Sequence, residues 1–167
     1  MDRTDPLPPP RSQSRISPVL FWVLVAAVLF RVVTAVMNRA PSEGGLVRWE
    51  RRENATAISR AHGKPILYDF TAAWCGPCHV LDREWNDPKV AERINRGFVP
   101  ARVMDRNRED GRNAPEIDQL QRRYEVTAFP TLVVASADGE LIGKLEGYRG
   151  KAVLLSFLEE PRRRSGS

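Results

Sequence analysis

Cysteine is scarce in this 167-residue chain: there are two, Cys75 and Cys78, both inside the stretch Trp74-Cys75-Gly76-Pro77-Cys78. With no further thiol there is no disulfide framework. A bridge across so short a loop removes little entropy from the unfolded chain, so structural stapling is a poor use of the pair. Histidine is equally sparse, at His62 and His79. Only Cys75, Cys78 and His79 cluster, short of the four protein ligands of a structural zinc site, so neither a metal nor any other cofactor is expected. An excess of one charge is also missing from the body of the chain. Residues 46–160 hold 18 Lys+Arg against 18 Asp+Glu, so the net charge of +5 comes from the ends, notably Arg162-Arg163-Arg164. Without a basic field over the domain, nucleic acid is not an expected partner. No internal repeat is present.

A long apolar run is present, once. Val19 to Met37 is interrupted only by Arg31 and begins after Pro18. A segment of about twenty apolar residues spans a bilayer, and an arginine past its middle can snorkel toward the interface. The expected organisation is therefore a cytoplasmic segment 1–18, a transmembrane anchor 19–37, a linker 38–45, a domain 46–160 and a basic tail 161–167. The rival reading is a cleaved signal peptide, with Arg11 and Arg15 as its basic region and Val33-Thr34-Ala35 as a small-residue exit site. Both readings send the domain out of the cytoplasm. Arginines flank the run on both sides, so charge alone does not set its orientation.

Within the domain, Asn54 is the expected cap of a helix carrying Ala57, Ile58 and Ala61, with Gly63 as its stop. Ile66 to Phe70 has the apolar density of a strand covered on both faces, yet contains Asp69. A helix from the cysteines through Val80, Leu81 and Trp85 should break at Asn86-Asp87-Pro88 and resume through Ile94 to Gly97. Phe98 to Met104 reads as a strand and the charged run 105–113 as an exposed loop. Asn113 and Glu116 have capping-box spacing ahead of Ile117, Leu120 and Tyr124. Thr131 to Ala135 and Leu141 to Leu145 flank the hairpin signal Asp138-Gly139, and Val153, Leu154, Phe157 and Leu158 form a last helix stopped by Pro161.

Trp74-Cys75-Gly76-Pro77-Cys78, Asp69 six residues before the first cysteine, Val126-Thr127-Ala128-Phe129-Pro130-Thr131, and Gly147 together resemble the thioredoxin-fold family. The break at Asn86-Asp87-Pro88 and the long 105–113 segment are similar to the C-terminal domain of the disulfide interchange protein DsbD. The resemblance covers about Leu46 to Glu160. It implies an α/β fold, a central mixed β-sheet flanked by helices, here with one N-terminal transmembrane helix. It also implies a cis bond before Pro130 and thiol-disulfide exchange as the activity.

The attacking group in such exchange is a thiolate, which an ordinary cysteine of pKa ~8.5 scarcely supplies at neutral pH. Cys75 falls at the start of a helix, where unpaired N–H groups favour negative charge, and Gly76-Pro77 suits the first helical turn. Cys75 is therefore the expected nucleophile and Cys78, one turn further in, the buried resolving thiol. Asp69, desolvated in its strand, should have a raised pKa and serve Cys78 as proton handler. The resemblance places Trp74, Gly76, Pro77, Phe129 and Pro130 at the substrate-binding surface. Arg102 aligns only loosely with a basic residue of the family and is left outside the site. Cys75 to His79 also satisfies the Cys-X-X-Cys-His pattern of haem attachment, which requires none of the surrounding strand, Trp74, Asp69 or Pro130.

The expectation is a membrane-tethered reductant of cysteine-containing client proteins, single-pass in the cell membrane with its domain on the periplasmic side. Such a reductant needs a separate membrane electron donor, such as a DsbD-like thiol transporter, because the apolar run contains no cysteine. The alternative is a tethered thioredoxin-like binding or chaperone module without turnover.

Overall fold

The computed structural model describes residues 18–37 and 45–164, with side-chain surroundings for 22–31 and 45–160. The expected N-terminal segment, nearly all of the linker and the end of the basic tail lie outside the described residues. The chain divides into two units, 1–39 and 40–167. The first holds one helix, α1 (Pro18–Met37). Among the described residues no helix is long and apolar enough to cross a membrane. The described side chains of α1 are only those of 22–31, so the apolar run remains a property of the sequence.

The second unit runs α2 (Arg52–His62), β1 (Ile66–Ala72), α3 (Gly76–Glu84), α4 (Pro88–Gly97), β2 (Val99–Asp105), α5 (Asn107–Asp110), α6 (Pro115–Arg123), β3 (Thr131–Ala135), β4 (Leu141–Glu146) and α7 (Lys151–Arg164). The sheet order is β2-β1-β3-β4, with β1 parallel to β2 and antiparallel to β3, and β3 antiparallel to β4. It is the expected mixed sheet. All seven residues of β1 are buried, because helices cover both faces of this central strand. Alternation then sorts its side chains. Leu67 joins Leu132 and Val134 against Leu81, Trp85, Ile94 and Leu154, whereas Ile66, Tyr68 and Phe70 join Val99, Val103 and Val133 against Ala55 and Tyr124. Each such apolar side chain contributes roughly 1.5–3 kcal/mol when taken fully from water. Asp69 shares the parity of Leu67, which sends its carboxylate toward α3 rather than toward α2.

The break between α3 and α4 has a local cause. Asp87 accepts hydrogen bonds from the N–H groups of Lys89 (2.9 Å) and Val90 (3.1 Å), and Pro88 opens the new helix. Several local expectations are corrected. α2 begins at Arg52 with Arg51 as its cap, and its buried positions are Ala55 and Ser59 while Ala57 and Ala61 are exposed. Asn113 does not cap α6, whose N-cap is Ala114. The Asn113 side chain is instead drawn inward to the buried carboxylate of Asp105, at 2.7 Å. The charged run is not wholly loop, since α5 forms within it. Val80 and Val153 turn to solvent. α7 continues past Pro161 to Arg164, because a proline this close to a helix end removes one ladder hydrogen bond rather than a series.

Candidate active site

Where β1 ends, Cys75 takes an extended conformation (φ −85°, ψ 101°) and becomes the N-cap of α3. Its own N–H donates to Ala72 O (3.1 Å), while its carbonyl accepts from Cys78 (3.1 Å) and His79 (3.3 Å). The Cys78 N–H also points at Cys75 Sγ, 3.2 Å away, so one donor of the first helical turn is shared between the carbonyl and the sulfur of the capping residue. Pro77 fits there because it has no N–H to lose. The two cysteines are joined as a disulfide, with Cα atoms 5.2 Å apart. Burial does not tell them apart: Cys75 is 3% and Cys78 2% exposed. Their asymmetry lies in helix position, which gives one sulfur the helix-end N–H and makes the other part of the helix.

Ala72 and Phe129 pack on the disulfide. The Phe129-Pro130 bond is cis, as the resemblance implied, and Thr131 Oγ1 donates to Ala128 O at 2.8 Å in the same turn. Trp74 is 43% exposed and meets Phe129 edge to face, with ring centroids 5.9 Å apart. Gly76 and Pro77 are exposed beside it. The structure thus gathers Trp74, Cys75, Cys78 and Phe129 around the disulfide, with Gly76-Pro77 and Pro130 following directly in the chain.

Asp69 has 1% of its side chain exposed, and its carboxylate is turned to the guanidinium of Arg102 and the indole N–H of Trp85. Burial pushes its pKa up to about 6. Arg102 draws it down and Asp82 adds to the rise. Arg102 lies outside the expected site, and the structure places it between the buried Asp69 and the partly exposed Asp82. Its Nε stands 3.3 Å from Asp69 Oδ2, its Nη2 donates to Asp82 Oδ1 at 2.8 Å, and its guanidinium lies 4.7 Å from the centroid of the Trp49 ring. A signal was available. Asp69 and Arg102 are each the fourth residue of a seven-residue strand and face each other across the β1–β2 register. His79 is an exposed helix residue, with Nε2 2.9 Å from Ala73 O and Nδ1 4.0 Å from Asp82.

One guanidinium shared between two carboxylates makes a prediction with opposite signs. Arg102→Gln removes the charge that favours ionised Asp69 and should move an Asp69-dependent pH limb upward, whereas Asp82→Asn should move it downward. Carboxyl titration by NMR in the oxidised protein reads both shifts. Equal behaviour of the two variants would refute the coupling.

A strand-ending helix cap that presents a vicinal disulfide-forming pair, beside a cis-proline turn, is a thiol-exchange surface. The thioredoxin-like domain family matches residues 52–161, more than half of the sequence. The chain belongs to that family. It is 33% identical over 97 residues to a thioredoxin of Mycobacterium bovis, an alignment covering 58% of this chain and 73% of that one. A thioredoxin from Thermus thermophilus superposes with a TM-score of 0.61 at 30% identity, over 72% of this chain and 90% of that one. The oxidised C-terminal domain of Neisseria meningitidis DsbD shares the fold, with a TM-score of 0.53, 24% identity and coverage of 66% and 92%. This thioredoxin-like protein is a thiol-disulfide oxidoreductase, and the disulfide-bonded Cys75–Cys78 pair is where its redox chemistry resides.

Proposed function

We propose that the protein is a membrane-tethered reductase of disulfides in exported proteins. The observation that carries the chemical part is the Cys78 N–H directed at Cys75 Sγ. A sulfur so placed is favoured as a thiolate. In the reduced protein Cys75 attacks a client disulfide and one client sulfur leaves. The resulting mixed disulfide is then broken by Cys78, which re-forms the Cys75–Cys78 bond and releases the second client thiol. Two electrons and two protons pass to the client. Asp69 accepts the Cys78 proton in that second step, and Trp74, Gly76, Pro77, Phe129 and Pro130 form the docking surface.

The tether rests on the sequence, in which Val19 to Met37 is a single apolar run broken by Arg31. A helix of that length reaches about 30 Å, the thickness of a bilayer's hydrocarbon core. The same run supports export, and the resemblance of the sequence to DsbD-type domains favours the periplasmic side. Since no cysteine lies in the run, reducing equivalents come from a separate membrane dithiol donor, such as a DsbD-like thiol transporter.

Dithiothreitol-driven insulin reduction tests the chemistry, with turnover expected from the wild type. Alkaline carbonate washing of membranes from cells making the full chain tests the tether. Retention in the pellet is expected, and complete release into the wash would overturn it.

A further inference from the structure

The 105–113 segment does more than connect β2 to α6. The buried Asp105 carboxylate accepts from Asn107 N–H (3.1 Å), Asn113 Nδ2 (2.7 Å) and Gln121 Nε2 (2.8 Å), while Asn113 Oδ1 accepts from Arg106 N–H (2.7 Å). This network ties the segment at both ends and to α6. A chain of satisfied buried polar groups specifies one arrangement of the loop it anchors. What it holds in place is α5, and α5 lays Arg108 on Trp74: the guanidinium carbon is 3.6 Å from the ring centroid.

That contact places the guanidinium carbon over the ring and spends none of its N–H groups on an oxygen. No hydrogen bond or ion pair engages Arg108 among the described residues, whereas Arg106 on the same segment is paired with Asp110 at 3.7 Å. The other acid of this turn, Glu109, is exposed. A stacked arginine has lost much of its rotamer freedom before any partner arrives, and its planar edge matches a carboxylate in a two-pronged bond. Trp74 immediately precedes Cys75, so this edge lies on the rim of the surface where a client disulfide docks.

We propose that Arg108 selects clients by binding a carboxylate of the client segment next to the disulfide under attack. The inference rests on the reductase reading and deepens it, naming clients with Asp or Glu close to the reacting cysteine. The contact joins opposite charges at an exposed site, so the preference should weaken as salt is raised.

The test uses disulfide-bonded peptides identical except for Glu, Gln or Lys flanking one cysteine, assayed with the wild type, Arg108→Gln and Arg108→Glu. In the wild type, kcat/KM should favour the Glu peptide over the Lys peptide by about 10-fold at low salt, mostly through KM. The ratio should collapse toward unity in Arg108→Gln and invert in Arg108→Glu. A wild-type ratio near unity, or a ratio unchanged by the substitutions, overturns the inference. So does an equal loss on all three peptides accompanied by a raised Cys75 pKa in alkylation profiles, which would place Arg108 on the thiol instead of the client. Failure of the wild type to reduce even the Gln peptide would instead overturn the reductase reading.

Discussion

Cys78→Ser should turn the protein from a catalyst into a trap. Cys75 remains at the N-cap of α3 and still attacks, but the serine hydroxyl cannot displace a sulfur, so the mixed disulfide with the client persists. The expected result is a ladder of adducts on non-reducing gels that collapses with dithiothreitol. Insulin reduction should fall by at least about 10³-fold, the scale expected when one member of a concerted nucleophile pair is lost. Cys75→Ser should lose as much activity and give no adducts. The pair of variants separates turnover from the alternative of a binding or chaperone module, which would retain partners without any cysteine-dependent covalent bond. Adducts formed equally through Cys78 in the Cys75→Ser protein would remove the distinction between the two roles assigned here. Because the cysteines are equally buried in the disulfide form, the experiment bears on helix position rather than on exposure.

Replacing Asp69 with asparagine should have two effects of different kind. The first is kinetic. Loss of the proton acceptor proposed for Cys78 should slow turnover by about 10²-fold near pH 7, at the low end for general acid–base groups, and abolish the activity limb near pH 6. The second is thermodynamic. Asp69 titrates at about 6 in the folded protein against 3.8 for a free aspartate, so between those values the folded state holds a proton that the unfolded state has released. Stability from this group is complete below about pH 4 and is lost as pH rises through about 6, a change on the order of 3 kcal/mol. Urea unfolding of the oxidised protein should therefore show wild-type stability declining relative to Asp69→Asn from about pH 4 and levelling off above about pH 6. Parallel curves for the two proteins over that range would mean that Asp69 is not held in the desolvated state described.

Cys75, Cys78 and Asp69 are legible in the sequence for different reasons. Cys75 and Cys78 needed only their spacing and scarcity. Asp69 stands out because an acid in an otherwise apolar strand must be explained, and its burial bears out the expected desolvation. Arg102 was passed over even though the same logic applied, since its strand is less uniformly apolar and its partner is set by the register of β1 on β2. Asp82 lies on the helix after the cysteines, and nothing in its local sequence marks it as a partner of Arg102. Asn113 had the spacing of a capping residue, and a buried carboxylate eight positions away outcompeted the helix end for its amide. Arg108 lay in a run whose mixed charges are indistinguishable from a solvated connection until the loop is placed.

The sequence by itself determined the order of most elements, the redox pair, the helix end that holds it and the buried acid behind it. Each of these follows from local periodicity, capping chemistry or the cost of an unpaired polar group, which neighbouring residues specify. Only the tertiary structure decided which charges share Arg102, which aromatic surfaces meet at the disulfide and where the 105–113 segment delivers its arginine. Those contacts join residues from about twenty to more than fifty positions apart, and their geometry exists only once the strands have paired and the helices have packed on both faces of the sheet.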